Sequence, residues 1–128
     1  MARSARVGRR RFDELVAEAL GRIPPEFARL LENVSVLVES EPTAAQIRSA
    51  GLDPRRDTLL GLYEGVALPD RPYDFAGHPP DRIYVFREPI LDECRSEADV
   101  QREIEVTIVH EIAHFFGLDE DRVRDLGY

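Results

Sequence analysis

His110, Glu111 and His114 stand out in the stretch 108–118, IVHEIAHFFGL, because three groups that are costly to desolvate sit among Ile108, Val109, Ile112, Phe115 and Phe116. The chain holds three histidines, and two of them are here. On a helix, residues four apart are separated by about 40° and one turn, so both imidazoles project from one side. Two imidazoles so placed can converge on one tetrahedral metal ion at about 2.0–2.1 Å. Glu111 lies about 60° from His114 around the helix, beside such an ion rather than on it. There its carboxylate can take a proton from a water that the cation has acidified toward a pKa of about 7. The order H-E-x-x-H therefore specifies two ligands, His110 and His114, and one general base, Glu111.

A catalytic zinc site ordinarily has a third protein ligand and leaves its fourth position to water. The candidates are the acidic run Asp119, Glu120 and Asp121, and the loop histidine His78. Gly117, three residues beyond His114, can adopt a left-handed conformation and fold the chain back beneath the helix end. Glu120, three residues further, is then placed to reach the ion and is the preferred third ligand. Asp119 or Asp121 in its place remains open. So does a plainer arrangement, in which Asp119 caps a last helix and Glu120 and Asp121 favour its positive end. Zinc is the expected metal, although two histidines and a carboxylate also accommodate Mn²⁺, Fe²⁺ or Ni²⁺.

The elements that must hold these residues can be read from periodicity. Apolar positions Phe12, Leu15, Val16, Ala19, Leu20 and Ile23 recur at helical spacing, and Gly21 with the pair Pro24-Pro25 ends that helix. Pro25 can open a second short helix through Leu31. VSVLVE at 34–39 is a β-branched strand, and RIYVFRE at 82–88 is a second. Thr43, Gln46 and Gly51 frame a short capped helix. LLGLYEGVAL at 59–68 predicts a hairpin or two short strands around Glu64-Gly65, followed by a Pro- and Gly-rich loop that carries His78. Ser96 and Asp99 open a helix that runs to Phe116, where Gly117 stops it. Helices and strands interspersed without a regular βαβ repeat predict an α+β fold.

Composition bounds the partners. A 43% hydrophobic, 33% charged chain of 128 residues fits one globular domain, expected over 12–128 behind a flexible basic tail over 1–11. The net charge of −8 argues against a general nucleic-acid binder, the arginine run at 9–11 notwithstanding. No apolar run approaches the roughly 18 residues that span a bilayer, so no membrane partner is expected. Cys94 is the single cysteine, which excludes an internal disulfide and a cysteine zinc site and makes a cytoplasmic setting the expectation.

His110-Glu111-x-x-His114-x-x-Gly117-x-x-Glu120 resembles the extended zinc signature of zincin metallopeptidases, with an acidic residue where the metzincin form has its third histidine. The chain as a whole resembles the small bacterial zincin-like metallopeptidases, through LLGLYEGVALPDR, PDRIYVFREPI and the segment from Gly117 to Asp121. It departs from metzincins in having no methionine beyond Met1, hence no methionine turn, and little chain after the signature. The resemblance implies a minimal zincin: a small mixed sheet packed on helices, with the H-E-x-x-H helix late in the chain. It also implies a peptide or protein substrate that adds to a sheet edge, for which RIYVFRE is a candidate, an ordinary core strand being the other reading of the same stretch.

The expected function is a zinc-dependent peptidase, with His110, His114 and Glu120 holding Zn²⁺ and Glu111 as general base. The alternative is a zinc-stabilised, non-hydrolytic module that binds a peptide or protein. A metal-free interaction protein is the third reading. Tyr63, Tyr84 and Tyr128 carry hydroxyls able to donate to an oxyanion, but each reads first as a packing group. Cys94 reads as a small apolar packing residue.

Overall fold

The computed structural model describes residues 5–65 and 80–128. Helix α1, Arg9–Arg22, buries Phe12, Leu15, Val16 and Ala19 along one stripe. It starts three residues before its first core position, and in the stretch before it Ala5 and Val7 are buried too. It ends because the residue before a proline is pushed out of the helical region: Ile23 sits at φ −65°, ψ 132° ahead of Pro24. Pro25 then occupies the first turn of α2, Pro25–Ala28, and a 3₁₀ turn at Arg29–Leu31 follows.

Strand β1 is Val34–Glu39, β2 is Gly61–Glu64 and β3 is Asp81–Phe86. They form one mixed sheet in the order β1-β3-β2, with β1 parallel and β2 antiparallel to β3. Between β1 and β2 lies α3, Ala44–Ser49, held by the full capping box: Gln46 N donates to Thr43 Oγ1 and Thr43 N to Gln46 Oε1. The expected second strand or hairpin around Glu64-Gly65 is, in the described residues, the single strand β2; residues 66–68 and His78 lie outside them.

Two expectations about β3 are corrected. The strand stops at Phe86, and residues Arg87–Glu93 form helix α4, which is too short to show a helical period in the sequence. Pro89 falls in the first turn, where its missing N–H costs nothing, and Pro89, Ile90 and Leu91 are buried. RIYVFRE is also not an edge. Strand β3 is the centre of the sheet, with Ile83, Val85 and Phe86 fully buried, and β2 is the strand beside the long helix.

That long helix is α5, Glu97–Phe116. Ser96 Oγ caps its start by accepting from Asp99 N at 3.1 Å. Gly117 at φ 63°, ψ 39° ends it: Leu118 N reaches Ala113 O and Gly117 N reaches His114 O, a glycine-dependent closure. Buried Val100, Ile104, Ile108 and Ile112 repeat every four residues, and α5 packs on α1 as well as on β2 and β3. Covered on two sides, it is more apolar than a surface helix. Helix α6, Glu120–Asp125, follows, with Asp119 Oδ1 accepting from Asp121 N at 2.8 Å.

Candidate active site

The buried stripe of α5 ends where the chemistry begins. His110 and His114 emerge on its exposed side, while Glu111, one position round, faces β2. The two histidines share an open cleft of about 430 Å³ with Ala113, Gly117, Leu118, Glu120, Val123, Arg124 and Tyr128. Gly117 folds the chain back as the sequence requires, and so α6 becomes the opposite wall. Of the three acidic candidates after it, Glu120 is the one that lines the cleft. Asp119 is spent as the cap of α6, and Asp121 is a highly exposed partner of Arg124 at 3.3 Å.

Glu111 is held by main chain. Tyr63 N of β2 donates to its Oε1 at 2.8 Å. Burial raises the Glu111 carboxyl above its ordinary value; the Tyr63 N–H and then the two imidazoles oppose that rise. This contact joins positions 48 apart in sequence, and no local signal announces it. The Tyr63 side chain is used elsewhere: its hydroxyl donates to Asp81 at 2.7 Å and its ring stacks on Phe115 at 3.9 Å. The Tyr128 hydroxyl likewise donates to Glu105 at 2.9 Å. Both hydroxyls are engaged by carboxylates.

Gly61 makes the Tyr63–Glu111 contact possible. A Cβ there would lie 2.5 Å from Thr107 Cγ2 and 2.9 Å from Tyr84 O, so β2 lies this close to α5 only without a side chain. Gly61→Ala is expected to cost about 1–3 kcal/mol by overpacking. It should also weaken the Glu111 contact, visible as a shifted Tyr63 amide resonance alongside a lower urea midpoint.

Whether these residues suit a zinc ion can be tested on ring geometry. The donor types fit: two imidazoles on one helix side and a carboxylate on the facing wall. With an N–Zn distance of about 2.1 Å, each ring centre lies about 3.2 Å from the ion, whichever nitrogen binds. Two rings on one ion are then at most about 6.4 Å apart, and roughly 5 Å at the tetrahedral angle. The His110 and His114 ring centres are 6.5 Å apart. Among the described residues no three His, Cys, Asp or Glu side chains are gathered closely enough to hold a metal ion. The set suits zinc in kind and place, and at least one ring must turn for both to share it.

His110 is the ring under restraint. Its Nε2 lies 2.9 Å from the main-chain oxygen of Tyr128, and since a carbonyl only accepts, Nε2 carries the proton there. Cys94, buried away from the cleft, packs as the sequence suggests, and its thiol is pushed up to about 11, chiefly by burial. Among the described residues no helix is long and apolar enough to cross a membrane.

A conserved hypothetical protein from Thermo thermophilus is structurally similar, with a TM-score of 0.55 and 25% identity, over 83% of this chain and 91% of that one. No curated protein matches the chain. The family described as zincin-like metallopeptidase matches residues 31–128, a span that includes all three strands, the H-E-x-x-H helix and the cleft. The chain belongs to the zincin-like metallopeptidase family.

Proposed function

We propose that this protein is a zinc-dependent peptidase acting on peptide or protein substrates, with Glu111 as its general base. The observation that carries the reading is the placement of Glu111: partly buried, one position from His110, with one carboxylate oxygen fixed by Tyr63 N at 2.8 Å. A structural zinc site has no use for a positioned carboxylate between its ligands and is usually closed by four protein groups. His110, His114 and Glu120 would hold the ion. When bound, zinc supplies a Lewis acid that polarises a peptide carbonyl and acidifies a water.

The chain's own residues do the rest. Tyr63 N keeps Glu111 Oε1 engaged, which leaves Oε2 to accept a proton from the attacking water. The same oxygen can then deliver that proton to the leaving amine. Burial raises the carboxyl's affinity for protons, which favours this exchange. Strand β2, not β3, is the strand next to Glu111, and so the place where an extended peptide would lie against the site.

Protein purified without an affinity tag is expected to carry about one zinc per chain, and His110→Ala to carry almost none. The zinc-loaded protein should cleave members of a mixed peptide library, with new termini identified by mass spectrometry. Zinc binding together with peptide affinity and no cleavage would favour the non-hydrolytic module. Absence of stoichiometric zinc would end both readings.

A further inference from the structure

The proposed metal site is bounded on one side by a segment held by several anchors, its last residue Tyr128 packed partly buried against the core. Tyr128 follows Gly127, whose φ of 92° lets the chain turn back after α6. Gly127 N donates to Arg124 O at 2.9 Å and Tyr128 N to Val123 O at 3.0 Å. The Tyr128 ring stands edge-on to Phe27 at 6.2 Å and lies under the Arg102 guanidinium at 4.5 Å. Its hydroxyl donates to Glu105, a carboxylate only 3% exposed that also takes Arg22 Nε at 3.2 Å. Arg102 additionally donates to Gly127 O. Fixed in this way, Tyr128 presents its main-chain oxygen to His110 Nε2 at 2.9 Å.

The two ring centres, 6.5 Å apart, lie well beyond the roughly 5 Å of two rings on one tetrahedral ion, and His110 is the ring this oxygen restrains. We infer that the Tyr128 segment is a latch which competes with the metal for His110: while the latch is closed His110 Nε2 donates a hydrogen bond to Tyr128 O, and zinc binding requires the ring to leave it. The inference rests on the zinc-site reading proposed above and assigns that site a regulation of its own. Latch and metal are thermodynamically linked. Any partner that draws the Tyr128 segment away from His110 raises zinc affinity by the factor that zinc loosens the segment.

Two variants loosen the latch without touching a proposed ligand. Tyr128→Phe removes the hydroxyl donated to Glu105, which keeps Arg22. Arg102→Met removes the guanidinium over the ring and its bond to Gly127 O, from a side chain 51% exposed. Zinc dissociation constants are measured by competition with a chromophoric chelator for the parent and both variants, each first checked by thermal unfolding. Loss of one net hydrogen bond's worth of competition predicts zinc binding roughly three- to tenfold tighter in each variant. In parallel, ¹⁵N–¹H spectra of the metal-free parent should show the His110 proton on Nε2, and that bond should vanish on zinc addition. Unchanged or weaker affinity in the two variants overturns the latch while leaving the zinc site standing; weaker affinity would make Tyr128 O an outer support for a His110 that binds through its other nitrogen. A parent that binds no zinc overturns the latch and the site together.

Discussion

Glu111→Gln is expected to keep its zinc and to lose peptidase turnover by about 10²–10⁴-fold, the range that a positioned general base contributes. The substitution is chosen because it changes chemistry and little else. Glutamine has the same length, and its amide oxygen can accept from Tyr63 N as Glu111 Oε1 does. Strand β2 therefore keeps its tie to α5. What disappears is the basic oxygen, since an amide NH₂ cannot accept a proton from water. Glu111→Ala would be a poorer test, because it would also leave the Tyr63 N–H without that acceptor in a partly buried place. Zinc content is measured on the same sample as turnover, so that a lost metal is not mistaken for a lost base. A glutamine variant that cleaves as fast as the parent would remove Glu111 from the mechanism.

The parts of this fold that were legible in the sequence are those written in local patterns. The Thr43 capping box, the Ser96 cap and Gly117 are each settled within a few residues, and the structure places all three where the pattern puts them. The same holds for the shared side of His110 and His114, which follows from helical spacing alone. What was not legible depends on partners far away in sequence. The position of β3 at the centre of the sheet is decided by what pairs on either side of it, and a strand with buried Ile83, Val85 and Phe86 reads alike whether central or flanking. Helix α4 was not legible because seven residues are too few to show a helical period, and Pro89 is accommodated by falling in the first turn.

The candidate site divides in the same manner. Its proposed reactive groups were visible because their types are improbable in an apolar stretch. Their supports were not. Tyr63 acts on Glu111 through a main-chain N–H, which every residue but proline possesses, and Tyr128 acts on His110 through a main-chain oxygen. Both contacts are made by main-chain atoms, so the contacting group is one that nearly every residue type carries. Gly61 is the exception: an unexplained glycine inside a strand pattern marks close backbone approach, and here the approach is to Thr107 on α5.

Phe12→Ala is expected to destabilise the protein by about 3–5 kcal/mol, the usual cost of emptying a buried phenylalanine site. Phe12 is fully buried in the core, on the face of α1 that packs against α5. A domain of this size holds about 5–15 kcal/mol in all, so the variant gives up a large share of its stability. The effect should reach the site. Helix α5 carries both histidines, and α1 ties to it by Arg11 to Glu97 at 2.9 Å and by Arg22 to Glu105 at 3.2 Å. The first pair is solvent-exposed and contributes little by itself. The second ends on the buried carboxylate that also anchors Tyr128. Phe12, with Leu15, Val16 and Ala19, is part of the buried stripe of α1 behind both. Urea unfolding should show a lower midpoint with an unchanged slope, and saturating zinc should restore part of the loss, since an ion that binds only the folded chain stabilises it. A loss below about 1 kcal/mol would mean that the α1–α5 seam is not the core that holds the H-E-x-x-H helix.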